Sequence, residues 1–154
     1  MAWCRRWPLI AVLAVLPASG LAGTTEQVVT DRFTGLAIAG FDPVAYFTDS
    51  GPLPGDAAFE LSVEGVVWRF RNGSNRASFA AHPDIYGPQF GGYDPVDIAR
   101  GVAFPGNPRL WLVVNQRLYL FGHVESREAF AASPAAVLGA AGKRWPLLRS
   151  ELSR

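Results

Sequence analysis

The chain has 154 residues, with 14 Lys and Arg against 13 Asp and Glu and a formal net charge of +1. That balance excludes the basic face a phosphate-backbone partner needs, so no nucleic acid is expected. One cysteine and two histidines exclude a disulfide scaffold and supply too few ligands for a closed structural zinc site.

Residues 1–22 read as a signal peptide. Arg5 and Arg6 make a basic start, Leu9 to Leu16 is an unbroken apolar run, and the small residues Ala18, Gly20 and Ala22 follow. The run is too short for a membrane span, which needs about 20 residues. Pro8 after the arginine pair favours the general secretory route over twin-arginine export. Cleavage is expected to leave a mature chain beginning between Leu21 and Thr24, without Cys4 and with no span. Removing Arg5 and Arg6 takes the basic count from 14 to 12 against 13 acids. Residues 23–34 are polar and read as a flexible lead-in to a single domain over 35–150, which must rely on a hydrophobic core.

Leu36 and Ile38 alternate with small residues, so a short strand is expected before Gly40. Asp42-Pro43 then starts a turn, because proline fixes its own φ and pushes its predecessor out of the helical region. Phe59, Leu61 and Val63 alternate with polar residues, as do Val66, Trp68 and Phe70 with Val67 and Arg69. Only Glu64-Gly65 separates the two runs, which predicts a hairpin. A second hairpin is predicted between Leu110–Val114 and Arg117–Phe121, around Asn115-Gln116, from strands apolar on both faces. Ser74 caps a predicted helix over Asn75 to Ala81, which stops before Pro83. Ser126 and Ser133-Pro134 start C-terminal helices, with a break at Pro134. The fold class read from these elements is α+β: a small antiparallel sheet of two hairpins, with a short central helix and C-terminal helices packed on it.

GFDPV at Gly40–Val44 returns as GYDPV at Gly92–Val96. A true repeat should show matching flanks. AYFTD follows one and DIARG the other, so the pair reads as coincidence, or as one turn chemistry used twice, and not as a duplication.

GFDPVAYF, a strand ending WRF, NRASFAAHPDIYGPQFGGY, LWLVVNQRLYLF and a closing KRWPLL together resemble the exported bacterial YHS domain-containing proteins. The resemblance covers about residues 36 to 148, with the segments in the same order. It implies a small exported domain. Cysteine-bearing members of the wider family are thought to bind metal ions. Here the position after GGY is Asp94, a hard carboxylate in place of a soft thiolate, which removes the warrant for soft-metal binding.

The candidate ligand-binding residues are Asp42, Tyr46, Tyr86, Gln89, Tyr93 and Asp94. The aspartates either converge on one pocket or serve two Asx-type turns. The tyrosines carry hydroxyls in loops bounded by Gly or Pro, and Gln89 is a polar residue in an apolar loop. No nucleophile elbow, phosphate loop or dinucleotide fingerprint is present, and no catalytic residue, metal ligand or cofactor is expected. The reading is a non-catalytic exported module that binds a small molecule or an envelope partner. The alternatives are an enzyme or redox accessory using Asp42 and Asp94, or a metal-binding domain.

Overall fold

The computed structural model describes residues 27–49 and 51–152. Residues 1–26, on which the expected signal peptide and the start of the lead-in fall, lie outside the described residues.

Gln27 to Thr34 was expected to be mobile and is instead bound into the fold. Thr30 bridges Ala37, and the Val29 N–H donates to the Gly91 carbonyl at 2.8 Å. Asp31 closes the turn, its Oδ1 accepting from the N–H groups of Phe33 and Thr34 at 3.0 and 2.8 Å. The chain then makes a 3₁₀ turn over Ile38–Gly40 and a short helix α1 (Ala45–Thr48). Strands β1 (Asp56–Val63) and β2 (Val66–Phe70) pair antiparallel. Helix α2 (Gly73–Ala81) follows, capped by Asn72, whose side chain accepts from the Asn75 N–H at 2.8 Å. Asn72 therefore does the work expected of Ser74, which lies inside the helix. Pro83 restarts the chain as a single turn, α3 (Pro83–Tyr86).

A second series begins with a 3₁₀ turn over Gln89–Gly92. Helix α4 (Pro95–Arg100) carries Asp94 at its N-cap, proline in its first turn and Gly101 in the left-handed conformation beyond its end. Strands β3 (Asn107–Val114) and β4 (Arg117–Phe121) pair antiparallel across the two-residue loop Asn115-Gln116. Helices α5 (Val124–Ala132) and α6 (Pro134–Leu152) break at Pro134 as expected. Ser126 is not a cap; it is buried within α5.

The two series are one structural unit used twice, which corrects the reading of GFDPV and GYDPV as coincidence. Ile38, Ala39 and Gly40 all have positive φ, and so do Phe90, Gly91 and Gly92. The N–H groups of Asp42 and Gly55 donate to Leu53 and Gly40; those of Asp94 and Gly106 donate to Phe104 and Gly92. Phe41 bridges Pro54 and Tyr93 bridges Pro105. Pro54-Gly55-Asp56 recurs as Pro105-Gly106-Asn107, and Phe70, Arg76, Phe79, Ala80, Ala81 and Pro83 recur as Phe121, Arg127, Phe130, Ala131, Ala132 and Pro134. The flanks beside the aspartates differ because the second unit is one residue shorter between them and its hairpin (Arg100–Phe104 against Thr48–Leu53). The match is in the hairpin and the helix beyond it.

The fold is α+β, and the hairpins form separate two-stranded sheets. Each second strand is nevertheless paired on both sides, β2 by Leu36 against Val67 and β4 by Pro88 against Leu118. Alternation along β4 sends Leu118 and Leu120 into a core with Ile38, Trp68, Phe70 and Phe79. It sends Tyr119 and Phe121 into a second core with Val96 and Phe130. A strand that separates two cores must be apolar on both faces. A third core places Tyr93 and Ile98 against α6 through Ala141 and Trp145.

Candidate functional site

Asp42 and Asp94 are fully buried. One oxygen of Asp42 accepts from the Val44 N–H at 2.8 Å. Its other oxygen accepts from the Arg71 N–H at 2.8 Å and the Asn75 Nδ2 at 2.7 Å. Asp94 repeats the arrangement, accepting from the Val96 N–H at 2.9 Å and the Gly122 N–H at 2.8 Å. Each carboxylate therefore ties the start of its own unit to the end of that unit's hairpin. Both oxygens are occupied and the two aspartates share no hydrogen-bond partner, so they form brackets and not a common acid–base pair. The residue types suited to catalysis are here performing local structural work.

Tyr46 is also buried. Its hydroxyl donates to the Pro108 carbonyl at 2.7 Å and its ring meets Trp111 edge-on at 5.4 Å, so it clamps α1 to β3. Burial pushes its pKa well above the usual tyrosine value. Tyr86 meets Phe47 edge-on at 5.4 Å, which brings the turn after Asp42 and the Gly-Pro loop together at this one ring contact. Gln89 is half-buried in the second 3₁₀ turn. Tyr93 packs against Trp145 at 5.9 Å and borders a small cavity of about 210 Å³ with Val29 and Pro105.

A concave site of about 430 Å³ lies elsewhere, and none of the six candidate residues lines it. Trp68 and Phe79, tilted rings with centroids 4.8 Å apart, line it together with Trp145 and Val63. Glu64, Asp84 and Arg149 supply its charged groups.

The repeat gives the rings of this cavity a counterpart. In the second unit the matching ring pair is Tyr119 and Phe130, also 4.8 Å apart. Val137 and Leu138 of α6 pack against the core cluster that contains that pair. In the first unit the helix ends at Tyr86, and Gly87 occupies the position of Leu138. A Cβ on Gly87 would come within 2.6 Å of the Pro83 carbonyl oxygen, so this stop is tightly built. Trp68 and Phe79, the corresponding rings of the first unit, line the cavity together with Gly87. Volume, apolar floor and a few polar groups at the edge are the attributes of a small-molecule site. Sequence reading placed Trp68 in the core, where it is 5% exposed, but missed the cavity beside it. The available signals were the helix stop at Gly87-Pro88 and a glutamate in a turn position that favours asparagine or glycine.

Among the described residues no group of three or more His, Cys, Asp or Glu is placed to hold a metal ion. His123 stacks on Phe104 at 4.6 Å. No helix among them is long and apolar enough to cross a membrane. Compared with protein-family models, curated proteins and solved structures, the chain matches none.

Proposed function

We propose that this chain is an exported, YHS-like, non-catalytic binding module that holds a small, largely apolar molecule between Trp68, Phe79 and Trp145. The cavity carries this reading: among the described residues it is concave, lined by Trp68, Phe79 and Trp145, and bordered by Gly87 at the position where the second unit has Leu138. The ordered motifs from GFDPV to KRWPLL support the family, and the basic-apolar-small pattern of residues 1–22 supports export. An enzyme built on Asp42 and Asp94 has less support, because the oxygens of both are committed to local donors.

Native mass spectrometry of protein purified from its own envelope fraction tests the proposal. A retained non-covalent mass is expected, lost or much reduced in Trp145→Ala. A mass retained equally by wild type and Trp145→Ala, or no adduct at all, counts against the cavity as the site.

A further inference from the structure

The cavity has a charge pattern as well as a shape. Glu64 and Asp84 are exposed residues on its lining, and neither is in an ion pair with any described residue. Arg149 also lines it, but its Nε is engaged with Gln27 Oε1 at 2.9 Å. Arg117 donates to the backbone carbonyl of Asp84 at 2.8 Å and does not line the cavity. Among the described residues, two carboxylates therefore line the cavity against one guanidinium.

Glu64 is also placed against local preference. Its φ is 51°, in the left-handed region that two-residue hairpin turns require and that Asn, Asp or Gly adopts most readily. The second unit has Asn115 at the equivalent position, with a φ of 50°. The turn of the first unit carries instead a longer acidic side chain beside the cavity. Strain of this kind persists where the surrounding structure holds it, and it gathers at binding sites.

Resting on the cavity reading above, we infer that the ligand class is an apolar cation. Its hydrocarbon or aromatic body would lie over Trp68 and Phe79, and its ammonium or guanidinium head would sit between Glu64, Asp84 and the face of Trp145. Aromatic faces attract cations through their quadrupole, and the two carboxylates add to that field. A carboxylate or phosphate head of the same size meets repulsion from Glu64 and Asp84.

Calorimetric titration of the mature chain with three matched probes tests the inference: 4-phenylbutylamine, 4-phenylbutan-1-ol and 4-phenylbutyrate. The amine is expected to bind about tenfold more tightly than the alcohol, and the carboxylate most weakly. Glu64→Asn, which installs the second unit's own turn residue, should weaken the amine about fivefold and leave the alcohol unchanged, with an undiminished melting temperature. A carboxylate that binds as tightly as the amine, or a Glu64→Asn variant with unchanged amine affinity, overturns the charge inference and leaves the cavity reading standing. Binding of all three probes that is indifferent to Trp145→Ala, or no binding of any, overturns both.

Discussion

Replacing Asp42 by alanine tests whether the buried aspartates are structural brackets. The carboxylate is fully buried and serves three donors, two of them backbone N–H groups that cannot turn elsewhere. Hydrogen bonds to a charged group contribute about 1.5–3 kcal/mol each, and a buried donor left without a partner costs about 1–3 kcal/mol. The three contributions share one carboxylate, and the cost of keeping that charge buried is recovered when it is removed. The net loss for Asp42→Ala is therefore about 3–5 kcal/mol. Asp94 serves two donors, so Asp94→Ala should cost less, about 2–4 kcal/mol on the same reasoning. Asp42→Asn keeps one acceptor, and Asn75 can rotate its amide to present its oxygen. The Arg71 N–H is then left facing an NH₂ group, for a loss of about 1–3 kcal/mol. Urea denaturation read by fluorescence and by circular dichroism gives these values directly. Because the two sites share no partner, the Asp42→Asn and Asp94→Asn losses should add to within about 0.5 kcal/mol. A loss below about 1 kcal/mol for Asp42→Ala, or a larger loss at Asp94 than at Asp42, would refute the bracket assignment.

Tyr46→Phe removes the bond to the Pro108 carbonyl and should cost about 1–2 kcal/mol by thermal or chemical denaturation. Burial raises the Tyr46 pKa above the ordinary tyrosine value of 10.0, so its stabilising contribution is complete below that pH. The contribution is lost as pH climbs above 10, where the unfolded tyrosine ionises first, and Tyr46→Phe should show a shallower alkaline decline than wild type. Gly55→Ala and Gly106→Ala should each cost about 1–3 kcal/mol. A Cβ at Gly55 would lie 2.5 Å from the Arg69 carbonyl carbon, and one at Gly106 would lie 2.5 Å from the Gly92 oxygen. Gly51→Ala, with open space around it, should stay within about 0.5 kcal/mol; equal melting points for all three variants would contradict the shared geometry of the two units. Trp68→Ala should cost about 3–5 kcal/mol in urea denaturation, since it removes a ring stacked on Phe79, and a loss under about 1 kcal/mol would place the ring outside the core.

Local chemistry made much of this fold legible. Alternation and the Glu64-Gly65 and Asn115-Gln116 loops predict both hairpins, and Pro83 and Pro134 mark where helices break, because these signals act between near neighbours in the chain. Helix α4 was legible too, from Asp94 at its cap, Pro95 within its first turn and Gly101 after its end. The repeat is visible in Phe79 and Phe130, each followed by Ala-Ala-x-Pro, but not in the residues just after each aspartate, where the second unit is one residue shorter.

Tertiary structure decided the rest. Whether Asp42 and Asp94 face a ligand or a backbone depends on where Arg71 and Gly122 return, at the far ends of hairpins whose placement no local pattern encodes. Tyr46 reads as a hydroxyl in a loop until Pro108, sixty-two positions away, comes to meet it. The cavity draws its walls from β1, β2, α2, α3 and α6, elements that only the tertiary fold brings together. A side chain's residue type sets which partners it can take, and packing at long range determines which of them it meets.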